Sequence, residues 1–329
     1  MKFIKAVFVF IGLVFCVAGV GVSLHIAEEP LTVLERYGNR SSTAVPVIFM
    51  ERQGNRMMLD VTLETERAGT ARFAVSLPHP LPQDEKLPVL LVLGGLGMGE
   101  ENLRYLPDAG ANVLVGYDWP FPPKLPKGAR ALFSELPALH RDAHRVPAQI
   151  EAGMEWLTRQ SYIDQNRISL LGFSLGTLVG PAVQNFLTHR GYKISATVMG
   201  YGGAPIGTLV AAHPRVEPDR IRKPAGFAVN LLLWHLDPVR HLPQIESGRF
   251  LLLTGADDRL IPQEAAERYI NLAPDPKQVL VFDGDHMGVG QHQMELLDEI
   301  IAASRDWLVA ERAINPPPPP PPQDAQPEE

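Results

Sequence analysis

The sequence predicts a single α/β domain with a mostly parallel β-sheet and helices on both of its faces. Short apolar runs of strand length alternate along the chain with segments of helical periodicity, which is typical of strand–helix–strand units. Five of the apolar runs lead into glycine-rich or polar stretches: GGLGMG, GFSLG, MGYGG, TGADD and DGDHMG. Because the carboxyl ends of parallel strands meet at one edge of a sheet, we expect these stretches to form a common rim where ligands bind.

The first strands are predicted ahead of the parallel sheet. Residues 45–77 contain the segments VPVIFM, MMLDVTLE and ARFAVSL, separated by the turn-like RQGN and ERAGT, and this pattern predicts a strand meander. The runs PVLLVLGGLGMG and ANVLVGYDW follow as buried strands. The prolines between Pro120 and Pro126 then exclude regular structure from the next loop.

Helices and strands alternate through the rest of the chain. Apolar residues at helical spacing predict an amphipathic helix from about residue 142 to 160. Further helices are predicted at 175–188, 263–272 and 294–313, with the strands ISLLGFS, ATVMGYGG, RFLLLTGADD and KQVLVFDGDH among them. The segment 204–236 is long enough to form a small cap over the rim, and its prolines favour an irregular lid.

The composition indicates a globular protein and argues against nucleic acid as its main partner. The 329 residues are 45% hydrophobic, which suffices for a sizeable core. A net charge of −7 and a pI near 5.8 leave no basic footprint for a phosphate backbone. Cys16 is the single cysteine, so no intrachain disulfide is expected, and no metal-ligand spacing or cofactor motif stands out.

Residues 1–27 form an apolar leader. Lys2 and Lys5 precede a stretch that is uncharged from Ala6 to Leu24. This pattern favours an uncleaved membrane anchor with its N-terminus in the cytoplasm, and it leaves a cleaved signal peptide and a buried helix as alternatives. With an anchor or a signal peptide, the body of the protein lies outside the cytoplasm, membrane-anchored or secreted.

The other end of the chain is of low complexity. Residues 314–329 contain seven consecutive prolines from Pro316 to Pro322 and end in QDAQPEE. This composition predicts a disordered, extended tail, and a spacer is favoured over a docking site for a partner of unknown identity. The predicted domain therefore covers residues 28–313.

The stretch RISLLGFSLGTLVG carries the strongest chemical motif of the chain. Gly172-Phe173-Ser174-Leu175-Gly176 matches the Gly-x-Ser-x-Gly elbow, in which a serine lies on a tight turn between a strand and a helix. Glycine is needed on both sides because side chains there would collide with neighbouring backbone. The apolar run before the motif and the helix-compatible run after it favour a nucleophile over an ordinary turn serine. A serine nucleophile also needs a base and a group that orients the base.

Candidates for both partners follow at the ends of later strands. LLLTGADDRLIP ends a strand with Asp257 and Asp258, and FDGDHMG ends the next with His286. The order Ser, Asp, His is the one that accompanies this elbow. Asp257 is the alternative to Asp258, for which capping of the next helix is another possible role, and His292 is the alternative to His286.

With these segments the sequence resembles the α/β-hydrolase superfamily over about residues 70–310. GADDRLIP, residues 255–262, is similar to the acid segment of that superfamily and puts Asp258 in the acid position. His286, after Gly284-Asp285, matches its C-terminal histidine loop. The helix and strand that lead into the elbow are similar to the dienelactone hydrolase and acyl-peptidase-like branches. The resemblance implies the α/β-hydrolase fold, with Ser174 as nucleophile, His286 as general base and Asp258 as the residue that orients it.

An oxyanion hole built from two backbone N–H groups belongs to the same expectation. One is that of Leu175, directly after the nucleophile, and the other comes from the loop LGGLG, with Leu96 as first choice and Gly95 as second. Leu93 stands where esterase-type His-Gly-Gly loops carry histidine, which argues against the lipase-like esterases.

The sequence therefore predicts a cofactor-independent serine hydrolase that cleaves a carboxylic ester or thioester in a small-molecule acyl substrate. A serine peptidase of the same fold is one alternative. A non-catalytic binding or scaffold protein that keeps the fold is the other, and the presence of Ser, Asp and His together argues against it.

Overall fold

The described strands form one twisted, mostly parallel sheet. The computed structural model describes residues 20–38, 47–83, 85–95, 99–104, 106, 109–121, 129–246, 248–287 and 293–317. Its strands are β1 (Val47–Gln53), β2 (Arg56–Thr65), β3 (Gly69–Pro78), β4 (Leu87–Leu93), β5 (Val113–Tyr117), β6 (Ile163–Phe173), β7 (Ile194–Gly200), β8 (Phe250–Gly255) and β9 (Lys277–Phe282). Their order in the sheet is β1-β2-β3-β5-β4-β6-β7-β8-β9. The pairs from β1 to β3 and the β3–β5 pair are antiparallel, and all later pairs are parallel.

Helices cover both faces of this sheet. They are α1 (Pro30–Glu35), α2 (Gly99–Leu103), α3 (Ala129–Thr158), α4 (Leu175–His189), α5 (Ile206–Ala212), α6 (Arg222–Leu232), α7 (Pro238–His241), α8 (Gln263–Leu272) and α9 (Gln293–Ala310). Alternate residues of β4 enter two separate cores: Val89 and Leu91 pack with α3 and α4, whereas Leu90 and Val92 pack with α9. The predicted fold class, a mostly parallel sheet with helices on both faces and an N-terminal meander, is confirmed.

The long helix α3 begins earlier than the sequence predicts. The apolar pattern favours a start near residue 142, but the helix runs from Ala129 to Thr158 and contains Pro137 and Pro147. Residues 134–142 are mostly half-buried or exposed, so they lack the strong apolar stripe that marks the part packed on the sheet.

The expectation of an irregular lid at 204–236 is wrong, because this region holds helices α5 and α6. Its prolines lie where a missing N–H is tolerated: Pro205 is the N-cap of α5 and Pro224 lies in the first turn of α6. The two helices approach closely through Gly207 and Gly226, since a side-chain carbon on Gly207 would lie 2.5 Å from the Gly226 carbonyl oxygen. Asp237 is the N-cap of α7 and accepts a hydrogen bond from Val239 N at 2.9 Å.

The structure describes only residues 20–27 of the predicted leader and residues 314–317 of the predicted tail. Residues 20–27 are helical and largely exposed, whereas residues 1–19 of the predicted leader lie outside the described residues. No helix within the described ranges is long and apolar enough to cross a membrane. Ile314 and Asn315, which the prediction assigned to the tail, belong to the domain: Ile314 is buried, and Asn315 N donates to Asn112 Oδ1 at 2.8 Å. Residues 318–329 lie outside the described part.

Five histidines gather where residues 20–27 meet α3 and the segment after α6. They are His25, His140, His144, His235 and His241. The His25 and His235 rings lie 4.4 Å apart, and His241 Nε2 donates to the His235 carbonyl oxygen at 2.8 Å. Burial lowers the pKa of His144, His235 and His241 to about 4. Among the described residues no group of three or more His, Cys, Asp or Glu side chains could hold a metal ion.

This cluster makes the stability of the protein sensitive to mild acid. Because these pKa values are lower in the folded state, the unfolded chain binds protons more tightly, and stability falls as the pH decreases from about 6.5 to about 4. For the fully buried His241 the loss is about 3 kcal/mol. We expect Tm to fall over this pH range, and less steeply in His241→Gln than in the exposed control His79→Gln. A Tm that does not change between pH 7 and pH 4.5 would contradict this.

Candidate active site

Ser174 lies on a strained turn between β6 and α4. Its backbone has φ 51° and ψ −110°, a conformation that non-glycine residues rarely adopt. The flanking glycines make the turn possible. A side-chain carbon on Gly176 would collide with the Leu93 carbonyl oxygen, and one on Gly172 would lie 2.6 Å from Met199 Sδ. The turn therefore presents the Ser174 side chain at the rim of the sheet.

The structure brings Ser174, His286 and Asp258 into one hydrogen-bonded chain. His286 Nε2 lies 2.9 Å from Ser174 Oγ, and His286 Nδ1 lies 2.8 Å from Asp258 Oδ2. A carboxylate can only accept, so the proton of the neutral imidazole is on Nδ1 and Nε2 is free to accept from the serine hydroxyl. The side chains of His286 and Asp258 are only 5% and 3% exposed, which keeps the chain of hydrogen bonds out of bulk water.

Asp258 is held in place by its second oxygen. Asp258 Oδ1 accepts hydrogen bonds from Leu260 N at 2.8 Å and Ile261 N at 2.9 Å, which leaves Oδ2 for the imidazole. Asp257, the alternative acid, is exposed and points its backbone N–H to the Gly284 carbonyl oxygen. The geometry therefore shows that Asp258, and not Asp257, contacts the imidazole. The spacing in the sequence does not distinguish the two aspartates. His292, the alternative base, lies outside the described residues.

A salt bridge ties the acid loop to the histidine loop. Asp285 Oδ2 accepts from Arg259 Nε at 2.7 Å, and its Oδ1 accepts from the backbone N–H groups of Arg259 and His286. The Arg259 guanidinium holds the pKa of Asp285 at about 2. Because this one carboxylate joins both loops, it fixes the separation of Asp258 and His286. The sequence analysis did not identify this pair.

Tyr201, which no sequence motif indicated, packs against the imidazole of His286. It follows β7 with a φ of 62°, and its ring packs edge-on against His286 with centroids 5.4 Å apart. The residue is 1% exposed, and its hydroxyl has no hydrogen-bond partner among the described residues. A positive φ is strained for a residue with a side chain, and such strain is typical of positions where the side chain has a functional role.

We predict that Tyr201→Ala lowers kcat by roughly 10- to 100-fold, because the imidazole loses the surface that orients it. Tyr201→Phe keeps the ring contact and removes only an unpaired hydroxyl, so we expect it to retain activity and to match or exceed the wild type in Tm. Steady-state kinetics and thermal unfolding of both variants provide the measurement. Equal activity losses in the two variants would contradict a role for the ring.

The predicted oxyanion hole is described in part. Leu175 N is the first amide of α4, where N–H groups have no intrahelical acceptor and favour negative charge. Leu96, the predicted second donor, lies outside the described residues. Gly95, the alternative, lines the same cavity as Ser174, and its carbonyl oxygen accepts from Trp119 Nε1 at 2.7 Å. This hydrogen bond from Trp119 therefore holds Gly95 in place at the cavity that also contains Ser174.

A cavity of about 300 Å³ opens at Ser174. Its walls come from the loop after β4, from α2, from the elbow and from α9. The described residues that line it are Val92, Gly94, Gly95, Glu101, Asn102, Leu106, Phe173, Ser174, Met287, Leu297 and Ile301. The predicted cap at 204–236 supplies none of these. Instead it packs on residues 20–27, where His25 Nε2 donates to the Leu231 carbonyl oxygen.

The sequence is similar to curated proteins over part of its length. No protein-family model matches the sequence. Two uncharacterized proteins of Mycobacterium tuberculosis, from strains CDC 1551 and H37Rv, are each 30% identical over 155 residues, which is 46% of this chain and 48% of each relative. The chain thus spans about half the length of these curated relatives.

Several solved structures share the fold. Acetyl xylan esterase 1 from a Thermoanaerobacterium species has a TM-score of 0.57 at 13% identity, covering 84% of this chain and 93% of that one. Oligopeptidase B from Leishmania major has 0.56 at 12%, covering 79% and 37%. An alpha/beta hydrolase from a Penicillium species has 0.50 at 16%, covering 78% and 99%. The chain therefore has the α/β-hydrolase fold, as the resemblance in its sequence implied.

Proposed function

We propose that the protein is a serine hydrolase that cleaves a carboxylic ester or thioester through an acyl-enzyme on Ser174. The observation that carries this proposal is the chain of hydrogen bonds from Ser174 Oγ through His286 to Asp258, with 2.9 Å and 2.8 Å between the atoms. This is the arrangement that activates a serine hydroxyl at neutral pH. The fold alone would not support it, because the same fold carries many functions.

The chemical steps follow from the positions of these groups. Ser174 Oγ attacks the carbonyl carbon while its proton passes to His286 Nε2. The tetrahedral oxyanion is stabilised by Leu175 N–H and by the loop after β4. Collapse of this intermediate breaks the bond to the leaving group, which takes the proton from Nε2. Water then attacks the acyl-enzyme, gives a proton to Nε2 and releases the acid, and the proton returns to Ser174.

The cavity at Ser174 favours esters and thioesters over peptides. Its walls are largely apolar, and its described lining includes no basic side chain. A peptidase of this fold would need groups that bind a peptide backbone, and the lining offers few. Asn102 is one polar group available to substrate, since its Nδ2 is buried and has no hydrogen-bond partner among the described residues.

Hydrolysis assays with the full chain test the proposal. Purified protein is incubated with 4-nitrophenyl acetate, with a thioester of the same acyl group and with a 4-nitroanilide peptide, and product formation is compared with that of the Ser174→Ala variant. Turnover of the ester or thioester, absent in the variant, supports the proposal. Turnover of the peptide alone favours the peptidase, and no turnover of any substrate favours a binding protein that keeps the fold.

A further inference from the structure

A second cavity lies next to the one at Ser174, under α9. It has a volume of about 220 Å³ and reaches Asn315 and Pro317 at the end of the domain. Three side chains, those of Leu106, Phe173 and Ile301, line both cavities. They form the boundary between the two chambers in the described part of the chain. One of them, Phe173, directly precedes the nucleophile.

The second chamber is suited to hydrocarbon. Its apolar walls include Leu90, Ala109, Leu171, Ala302, Leu308 and Ile314. Two charged residues, Asp298 and Arg305, also line it: Asp298 is exposed, and Arg305 Nε donates to Asp306 Oδ1 at 3.2 Å. Two other polar side chains that reach it have partners within the domain. Asn112 Nδ2 donates to the Asn315 carbonyl oxygen at 2.9 Å, and Ser304 Oγ donates to the Ile300 carbonyl oxygen at 2.7 Å. An alkyl chain placed against the apolar walls of the chamber would bury apolar surface.

We propose that the two chambers together bind the acyl chain of the substrate, so that the preferred substrates are medium- or long-chain acyl esters. This inference rests on the proposed function, because it requires an acyl group bonded to Ser174. The acyl chain would extend from the carbonyl carbon along Gly94 and Gly95. It would then pass Leu106, Phe173 and Ile301 and enter the chamber under α9. The leaving group would lie on the side of His286, which must give it a proton.

A chain-length series on the full chain tests this. We expect kcat/KM for 4-nitrophenyl esters to rise from acetate through butanoate and octanoate, by about fourfold for each methylene that is buried, and to level off once the chambers are full. A parallel series of alkyl acetates, with increasing length on the alcohol side, should stay nearly flat. An increase along the alkyl acetates instead of the acyl series would overturn the assignment of the cavity to the acyl chain.

Variants that obstruct the second chamber test whether the dependence of kcat/KM on acyl chain length arises there. Ala302→Phe places a ring in that chamber, and we expect it to lower kcat/KM for octanoate at least tenfold while changing that for acetate less than twofold. Ala310→Phe, the same substitution at an exposed position of α9, serves as the control. Ala109→Phe obstructs the chamber from a different element and replaces Ala302→Phe where circular dichroism shows that the latter does not fold.

The two proposals fail in different ways. Turnover of acetate without any gain for longer acyl chains in the unmodified protein would overturn the acyl-chain inference and leave the hydrolase proposal intact. Absence of turnover for every ester and thioester would overturn the hydrolase proposal itself. A gain with chain length that persists in both obstructed variants would show that the acyl chain binds elsewhere.

Discussion

Replacing Ser174 by alanine is expected to lower kcat for an activated ester by roughly 10⁴-fold or more, with no loss of stability. The hydroxyl is the atom that forms the acyl-enzyme, and His286 cannot replace it because its role is to take the proton. The fold should tolerate the change, since alanine fits the space of serine and the turn depends on the flanking Gly172 and Gly176.

Ser169→Ala is the matched control for that variant. Ser169 lies in the same strand β6, is fully buried, and has a hydroxyl without a hydrogen-bond partner among the described residues. The same atom is therefore removed from the same element without touching the site, and we expect full activity. The measurement is the steady-state rate of both variants, with Tm as a check on folding. Comparable rates for Ser174→Ala and the wild type would remove Ser174 from the reaction.

Asp258→Asn is expected to lower kcat by roughly 10³- to 10⁴-fold. The amide oxygen can still accept from Leu260 N and Ile261 N, so the loop keeps its shape. The amide nitrogen would then face His286 Nδ1 and donate to it, which puts the imidazole proton on Nε2. A protonated Nε2 cannot accept the proton of Ser174, and the base is lost although the geometry is retained.

The neighbouring aspartate supplies the control for this prediction. Asp257→Asn makes the same substitution one residue earlier, on an exposed side chain, and we expect less than a twofold change in kcat. The pair of variants is measured under identical conditions with one ester substrate. A large loss in Asp257→Asn together with a small loss in Asp258→Asn would reverse the assignment of the acid.

Much of this arrangement follows from local patterns in the sequence. The elbow around Ser174 is predictable because a tight turn requires glycine at fixed positions, and the polar strand ends are predictable because parallel strands share one rim. The structure brings Asp258 and His286 to Ser174 at that rim. The residues concerned are far apart in the chain, but each is marked by its own strand end.

Other features of the site and the fold depend on contacts between residues far apart in the chain, which no local sequence pattern indicates. Tyr201 packs on His286, and Asp285 pairs with Arg259, through side chains from different strand ends. The region of helices α5 and α6 was predicted as an irregular lid because it is rich in proline. Pro205 and Pro224 lie at the starts of these helices, however, where proline is tolerated. Their packing through Gly207 and Gly226 is a long-range contact. The second chamber under α9 likewise exists only once the helix lies on the sheet.

Reaction with a fluorophosphonate tests whether Ser174 is an activated nucleophile. The full chain is treated with the reagent at neutral pH, and the adduct is located by mass spectrometry of the intact protein and of its peptides. We predict a single phosphonyl adduct on Ser174, lost in Ser174→Ala and strongly slowed in His286→Ala. Folded wild-type protein that forms no adduct, or an adduct that remains in Ser174→Ala, would show that Ser174 is not an activated nucleophile.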